Sequence, residues 1–425
     1  MRIKHLFSRE NFLILCWALY DTSNQFFALN VVSLYFPRWL TEIKGAPAFY
    51  YALAFGGSMI FVGLLAPVLG TISDVQKRKK HYLVVFTLIA IVFTFLIGTI
   101  EHVVLALLFF AVANFGCQMA MVFYNSLLVH VASPEKTGLA SGVGRMFGYS
   151  GALLAMLLSK PIITRFGYQP VLMATAGAFL LLSLPAMIFI REKDYRRDRP
   201  LTFFLNREQL RPIIARIRDA FASGTQFKEV RLFLLMFFFG MCAFQTVVIF
   251  LGVYAGEVFG LSEPAIINLI FFSTLFAVAG SFISGFLGDR FGHKNVLRVI
   301  FILWVLAFAG GAFFHPPFHW LIGALIGLTL SGTTVVGRAW AVQLVPREQI
   351  GEVFGLYNLV GYAAGVIGPL FWGLTLLLFS PLGIWRYRLS LLSLTIFIFL
   401  AYLFFRQIPE NRKNGVGSHK SFIFK

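Results

Sequence analysis

The segment 70–79, GTISDVQKRK, decides the fold because it recurs later in the chain as 285–294, GFLGDRFGHK. In both copies a glycine stands four residues before an aspartate, and basic residues follow the aspartate. The two copies lie 215 residues apart (285 − 70). A recurrence at this distance indicates that a large unit of the chain is duplicated.

A second pair of related segments has nearly the same offset. Glycines at 138, 142 and 148, with Tyr149 after the last, recur as glycines at 351, 355 and 361, with Tyr362 after the last. This offset is 213 residues (351 − 138). Because both pairs occupy equivalent places in the two parts of the chain, they indicate that the chain was built by duplicating one unit.

Apolar stretches long enough to cross a membrane give the size of that unit, since a spanning helix needs about 20 mostly apolar residues. Twelve stretches qualify: 12–40, 48–72, 82–100, 102–124, 139–160, 169–190, 232–256, 264–288, 296–314, 318–344, 351–379 and 388–406. They predict an all-α membrane protein with twelve transmembrane helices in two pseudo-repeated six-helix halves. The predicted division is an N-terminal half at 1–190, a basic linker at 191–231, a C-terminal half at 232–408 and a tail at 409–425.

The composition supports a membrane protein and argues against a nucleic-acid-binding one. Of the 425 residues, 58% are hydrophobic and only 13% are charged, too few charges for a soluble protein of this length. The net charge of +18 lies in short runs between apolar stretches, as in cytoplasmic loops. The lipid bilayer is therefore the expected surrounding, nucleic acid is not an expected partner, and we expect a monomer.

The distribution of basic residues predicts the orientation. Bases concentrate at the N-terminus, in 77–80, in the linker, in 289–298 and in the tail, whereas 101–102, 257–263 and 315–319 are poor in them. The positive-inside rule then places both termini and the linker in the cytoplasm. An even number of helices requires both ends to share a side, in agreement. The chain is expected in a bacterial inner (plasma) membrane.

The repeated segment suggests a gate that opens and closes. Each glycine lets a helix end pack closely on a neighbour. Each aspartate stands at a helix end, where its carboxylate can meet a neighbouring helix N-terminus or a cation. The candidate gating residues are Gly70, Asp74, Arg78, Gly285, Asp289 and Arg290. The alternative reading is a tight charged turn without a gating role.

These residues make the chain resemble the major facilitator superfamily over nearly its whole length. The superfamily's signature loop between helices 2 and 3 is matched in outline by 70–79, which has Val75 and Lys77 where an Arg and a Gly are usual. The counterpart between helices 8 and 9 is matched more fully by 285–294. The resemblance implies two rocking halves around a central cavity that opens to alternate sides.

Within that superfamily the chain looks like the autophagy-linked vacuole effluxers and their bacterial relatives. The branch has a Tyr-Asp-Trp-Ala-Asn-like motif in helix 1, which reads YDTSN at 20–24 here, with the Trp and Ala replaced. It has a Gly-Tyr pair in helix 5, here at 148–149, and a Phe-Gly-Leu-Tyr run, here at 354–357, ahead of a Gly-Pro at 368–369. Eukaryotic members export amino acids from the vacuole, so the resemblance implies amino acids as a candidate substrate.

Asp21 is the strongest candidate for a substrate or proton site. It is the only charge between Asn11 and Pro37 and lies about ten residues into the first helix, or ~15 Å at 1.5 Å per residue. Tyr20 is beside it, and polar residues at i+3 and i+4 share its face, namely Asn24 and Gln25. An intramembrane carboxylate suits proton coupling or binding of a substrate amine. The alternative is a structural pair with a base on a neighbouring helix.

Other polar residues inside predicted helices extend this candidate site. Arg145 and Arg338 are isolated charges nearer the cytoplasmic ends of their helices, where each could bind a substrate carboxylate or bond helix-end carbonyls. Arg145 could also be the partner of Asp21 or part of a gate. The amides expected to face the cavity are Asn114, Gln118 and Gln245, because the resemblance implies that helices 1, 4, 7 and 10 line it.

The sequence therefore predicts a secondary active transporter of a small polar solute, with protons as a candidate coupling ion. A membrane-embedded enzyme is disfavoured because the chain has no metal-spaced His/Asp/Glu cluster, no Gly-x-Ser-x-Gly elbow and no phosphate loop. No cofactor or metal is expected. A carrier-derived sensor or scaffold is the remaining alternative.

Overall fold

The computed structural model describes residues 8–192, 228–314 and 316–409, and within these ranges the chain is built from helices without strands. Most of the predicted linker and tail lie outside the described residues. The spanning helices are α1, which begins at Arg9–Phe27, α2 Ala48–Gln76, α3 Lys79–Ile97, α4 Val103–Ser126, α5 Thr137–Phe166, α6 Tyr168–Phe189, α7 Lys228–Phe259, α8 Glu263–Phe291, α9 His293–Phe313, α10 His319–Gln343, α11 Ile350–Leu378 and α12 Trp385–Gln407.

Eleven of the described helices, α2 to α12, are long and apolar enough to cross a membrane. Most of them extend beyond the apolar stretches read from the sequence at one end or both, whereas α10 is one residue shorter at each end. The predicted all-α membrane architecture is confirmed. Many large apolar side chains on the outer helix faces are exposed, among them Leu64, Leu181 and Leu377. Such surfaces suit a lipid solvent, in which an exposed apolar face costs nothing.

The first spanning segment, α1, is the least regular. After Phe27 it continues through π-helical turns at Ala28–Leu34 and Trp39–Ile43, with one α-helical turn between them. Within the first π turn the buried Asn30 donates from Nδ2 to Ser159 Oγ on α5 (2.9 Å) and to Thr175 Oγ1 on α6 (2.8 Å). The π turns are thus associated with an amide that ties α1 to two neighbouring helices.

The two halves, α1–α6 and α7–α12, meet along two main helix pairs. The helix α2 packs against α11, and α5 packs against α8. Each pair joins a helix of one half to a helix of the other, and each meets near the ends that carry the repeated aspartates. We use "motif side" for the side of the molecule at which the ends of α2 and α8 carry Asp74 and Asp289.

Candidate functional site

Asp21 lies at the centre of a buried charged cluster between the halves. The residue is fully buried in α1. Its Oδ1 lies 3.5 Å from Nη1 of Arg145 on α5, and its Oδ2 lies 3.7 Å from Nη1 of Arg338 on α10. Arg145 belongs to the same half as Asp21, whereas Arg338 reaches it from the other half. Since arginine stays charged, the three groups carry a net positive charge when Asp21 is ionised.

Small residues on α5 give Asp21 the room to be buried. A Cβ added at Gly148 would stand 3.1 Å from Cγ of Asp21. A Cβ at Gly144 would stand 2.3 Å from the ring of Trp17. The glycine at 148, which the sequence repeat singled out, therefore brings the backbone of α5 against the carboxylate of α1.

The guanidinium of Arg338 is held almost entirely by groups of the N-terminal half. Its Nε donates to Ser141 Oγ (2.9 Å) and its Nη2 to Ser141 O (2.6 Å), both on α5. Its Nη1 donates to Asn125 Oδ1 on α4 at 3.4 Å. The Ser141 hydroxyl in turn donates to the backbone oxygen of Val335 (2.9 Å). Arg338 therefore bridges the two halves of the molecule.

Aromatic rings form one wall of this cluster. Cζ of Arg338 lies 4.6 Å from the ring centroid of Trp17, a distance at which a cation is attracted to the π face. Trp17 stacks on Tyr124 with centroids 4.3 Å apart and donates from Nε1 to the backbone oxygen of that residue (3.0 Å). Tyr124 also stacks on Tyr20. The sequence reasoning missed Trp17, although an indole one turn before an intramembrane carboxylate was a usable signal.

Next to the cluster lies a polar cavity of about 200 Å³ that both halves line. Its walls are formed by Asn24, Gln25, Gln118, Met121, Asn125, Arg145, Phe237, Met241, Gln245, Thr334, Arg338, Tyr357, Asn358, Gly361 and Tyr362. The amides and the two guanidinium groups offer donors and acceptors, and the tyrosines offer aromatic faces. A solute with several polar groups finds partners from both halves here.

The structure brings most of the predicted site residues to this cavity. Asn24, Gln25, Gln118 and Gln245 line it, as do both arginines. Gln118 accepts at Oε1 from the hydroxyl of Tyr362 (3.0 Å), which joins the halves across the cavity.

Two predicted site residues face elsewhere. Tyr20 is buried, and its hydroxyl forms a 2.6 Å hydrogen bond with Thr87 on α3. Asn114 is buried and donates from Nδ2 to Ser58 Oγ on α2 at 2.8 Å. Both therefore join helices of the N-terminal half. Neighbouring helices therefore cover both residues, although the helices that carry them also contribute residues to the cavity.

On the motif side, the first repeated aspartate binds the start of a helix from the other half. Asp74 accepts at Oδ1 from the N–H of Gly351 (3.0 Å) and at Oδ2 from the N–H of Glu352 (2.9 Å) in the first turn of α11. Nζ of Lys79 lies 2.8 Å from Oδ1 of Asp74, and both side chains are buried. A carboxylate at a helix N-terminus satisfies free backbone donors and interacts favourably with the helix dipole.

The second repeated aspartate makes the same contact in the opposite direction. Asp289 of α8 accepts at Oδ1 from the N–H of Gly138 (2.8 Å) and at Oδ2 from the N–H of Leu139 (2.6 Å) in the first turn of α5. The neighbouring basic side chain differs, since Nε2 of His293 lies 3.7 Å from Oδ1 of Asp289. Each half thus contributes one carboxylate and one helix start, and the halves are closed on the motif side.

Glycines let the helix backbones touch at both contacts. A Cβ at Gly70 would stand 2.3 Å from the backbone oxygen of Gly351, and a Cβ at Gly285 would stand 2.3 Å from that of Gly138. The segments that begin at Gly70 and Gly285 therefore pack against the segments that begin at Gly351 and Gly138. The same kind of contact thus occurs twice in the molecule. Sequence reasoning identified both pairs but not that they bind each other crosswise.

The basic residues of the predicted gates take different positions. Arg78 is buried at the N-cap of α3. Arg290 is exposed, and its Cζ lies 5.3 Å from the ring centroid of Phe291. The bases next to the aspartates are Lys79 and His293, which sequence reasoning did not include among the gating residues. Closeness in the sequence was the available signal, because His293 stands four residues after Asp289 and begins the next helix.

Apolar spanning helices around a polar cavity define an integral, multi-pass membrane protein. The family model of the Major Facilitator Superfamily matches residues 13–280 and 263–423. The chain belongs to this superfamily, whose members are transporters rather than enzymes, as the sequence predicted.

Three proteins are similar to this chain, the first in sequence and the other two in fold. The uncharacterised MFS-type transporter YxiO of Bacillus subtilis is 25% identical over 426 residues, which cover 95% of this chain and 96% of that protein. The human organic anion transporter MFSD10 (TETRAN) has the same fold, with a TM-score of 0.73 and 14% identity over 92% of this chain and 98% of that one. A bacterial homologue of the iron transporter ferroportin, in an outward-facing state, gives a TM-score of 0.68 and 16% identity over 95% and 99%.

Proposed function

We propose that this chain is a secondary active transporter that moves a small polar solute through the central cavity by alternating access. The observation that carries the proposal is the polar cavity itself, which both halves line and which rests on the Asp21–Arg145–Arg338 cluster. Binding at the boundary between two repeated halves is the arrangement that lets rocking expose one site to either side. A solute bound there would contact both halves, so its affinity would depend on their relative position.

The buried carboxylate of Asp21 supports proton coupling as part of the proposal. Asp21 pairs with Arg145 in its own half and with Arg338 in the other. Protonation of the carboxylate would remove the attraction to Arg338 and leave the other bonds of that guanidinium in place. Uptake of a proton would thus weaken one contact between the halves, which is the kind of link that couples a proton to a conformational change.

Amino acids are the first solute class to test. The exposed part of Arg145, with 23% of its side chain accessible, offers a cation to a carboxylate at the cavity wall. Oxygen acceptors for an amine are supplied by Gln25, Gln245 and the tyrosine hydroxyls. A zwitterion therefore has candidate partners along the cavity wall for both its carboxylate and its amine, which supports amino acids as the first solutes to test.

The two aspartate contacts on the motif side are proposed as the gate. Each joins a carboxylate to main-chain N–H groups of the opposite half, so each must break if the halves part on this side. Hydrogen bonds to a charged group contribute about 1.5–3 kcal/mol each. Orientation is part of the proposal: the motif side faces the cytoplasm, with the chain in a bacterial inner membrane and acting as a monomer.

The experiment that tests this function uses purified protein in proteoliposomes. Wild type, Asp21→Asn, Arg145→Gln and the double variant are compared in expression level, substrate counterflow and uptake driven by a pH gradient, against a panel of amino acids, peptides and sugars. If Asp21 carries the proton, Asp21→Asn abolishes gradient-driven accumulation and leaves counterflow intact, because exchange needs no net proton movement. If Asp21 binds a substrate amine, both activities fall together.

The double variant separates a structural role from a functional one. A buried charge without its partner costs several kcal/mol, so a purely structural pair predicts poor expression of Asp21→Asn and recovery when Arg145→Gln is added. Unchanged behaviour of Asp21→Asn in all three assays would remove this residue from the mechanism. A folded wild-type protein that moves no solute of the panel would instead favour the carrier-derived sensor or scaffold.

A further inference from the structure

The side chain of Arg338 occupies a site formed by residues of the N-terminal half, although Arg338 itself belongs to the C-terminal half. All three of its guanidinium nitrogens have partners there. Nε and Nη2 donate to Ser141, and Nη1 donates to Asn125 and faces the carboxylate of Asp21. Trp17 lies against the guanidinium plane. We refer to Trp17, Asp21, Asn125 and Ser141 together as the guanidinium cradle.

The cradle has the features that distinguish a guanidinium site from a general cation site. It presents a hydroxyl, a backbone carbonyl and an amide oxygen around a planar fork, an aromatic face above it and a buried carboxylate beside it. An ammonium has no planar fork and no second donor set at that spacing, so it satisfies fewer of these groups. One acceptor is still available, because Oδ2 of Asp21 is buried without a hydrogen bond in this closed form.

Opening the motif side would empty the cradle. Arg338 stands on α10 in the C-terminal half, whereas the four cradle residues stand on α1, α4 and α5 in the N-terminal half. If the halves part on the motif side, Arg338 leaves with its own half. Asp21 then keeps Arg145 as its partner, and a buried amide oxygen, a hydroxyl and a carbonyl lose theirs.

We propose that the vacated cradle binds solutes that carry a guanidinium group, and that such a solute replaces Arg338 when the motif side is open. This inference rests on the proposed alternating access and narrows its substrate class. The exchange is balanced in charge, because one guanidinium replaces another beside Asp21 and Arg145. The solute then favours the open form, since only that form has the cradle free. Arg338 is in this sense an internal competitor of the substrate.

The first test removes the competitor. In Arg338→Ala the cradle is empty in every conformation, so millimolar methylguanidinium raises the melting temperature of the purified full chain by about 2 °C or more, measured from tryptophan emission. Methylammonium at the same concentration binds at least about tenfold more weakly. Adding Asp21→Asn to Arg338→Ala abolishes the stabilisation. Equal stabilisation by both cations, or none by methylguanidinium, overturns the proposal.

The second test does not depend on the stability of Arg338→Ala. Ser281 on α8 is buried, and its backbone oxygen would lie 2.4 Å from a Cβ at Gly142 across the interface between the halves. A cysteine there reports motif-side opening, against a background of three buried native cysteines. Methylguanidinium should increase the rate of maleimide labelling of Ser281→Cys severalfold, whereas methylammonium should not. A rate that neither cation changes rules out the cradle as a ligand site.

The transport assay separates failure of this inference from failure of the proposed function. A protein that moves other polar solutes, with no methylguanidinium binding and no inhibition by it, refutes the guanidinium class and leaves alternating access intact. If the protein binds methylguanidinium in both tests but transports no solute, the cradle is supported as a ligand site and the transport function is refuted. A guanidinium-bearing solute that shows counterflow, inhibited by methylguanidinium, supports both.

Discussion

At the scale of single residues, glycine and aspartate act together in the motif-side contacts. The carboxylates bind main-chain N–H groups, and this is possible only because no side chain keeps the helices apart. Gly351 shows this most clearly, since a Cβ there would stand 2.6 Å from the backbone oxygen of Gly70 and 2.9 Å from both carboxylate oxygens of Asp74. Backbone atoms at such distances cannot yield without moving a whole helix.

We therefore expect Gly351→Ala to disfavour the closed form. Overpacking of this kind typically costs about 1–3 kcal/mol, which corresponds to a shift of about 5-fold to 160-fold in the equilibrium toward motif-side opening. The measurement is maleimide labelling of Ser281→Cys, which should accelerate accordingly. Gly373→Ala is the matched control, because it lies on the same helix and a Cβ there meets nothing within 4 Å. Equal labelling in the two glycine variants would contradict this account of the contact.

At the scale of elements, the ends of helices hold the motif side closed. The last turn of α2 carries the carboxylate that binds the first turn of α11, and the last turn of α8 carries the one that binds the first turn of α5. Because both contacts lie on one side of the molecule, opening that side requires both to break. Their free energies therefore add to a single barrier against opening.

Removing both carboxylate charges should lower that barrier without unfolding the helices. Asparagine keeps one oxygen acceptor but places an amide donor against a backbone N–H, so Asp74→Asn with Asp289→Asn should lose about 1.5–3 kcal/mol per contact. We expect labelling of Ser281→Cys to rise by about a hundredfold or more and counterflow rates to change. Glu257→Gln, an exposed acid on α7, serves as the control. Normal labelling and transport in the double variant would show that the contacts are ordinary charged turns.

At the scale of the whole molecule, the orientation in the membrane decides which side the closed gate faces. Two exposed glutamates on opposite sides report it with equal chemistry: Glu135 before α5 on the motif side, and Glu101 between α3 and α4 on the other. The positive-inside rule predicts that Glu135→Cys reacts with an impermeant maleimide only from the cytoplasm and Glu101→Cys only from outside. The reverse pattern in intact cells would invert the proposed orientation.

How much of this structure can be predicted from its sequence depends on whether a feature arises within one segment or from contacts between segments far apart in the chain. The apolar stretches and the repeated segments can be read directly from the sequence, so the all-α membrane fold and the family were predictable and are confirmed. The isolated charges Asp21, Arg145 and Arg338 were also visible. The pairing of Asp21 with Arg145 was among the alternatives that the sequence offered. The contact of Arg338 with Ser141 was not, because it depends on how α10 packs on α5. Likewise Tyr20 was assigned to the site because it is next to Asp21, and Asn114 because it lies on the fourth helix, and neighbouring helices cover both.

The guanidinium cradle has an electrical consequence. It holds a positive side chain from one half against a negative one from the other, inside the span of the membrane helices. Moving one elementary charge through 100 mV of membrane potential involves ~2.3 kcal/mol, so a displacement through a tenth of the field involves ~0.2 kcal/mol. If the parting of the halves has a component along the membrane normal, Arg338 carries a small capacitive current as it leaves. The resting voltage of the cell then biases the two conformations even before any solute arrives.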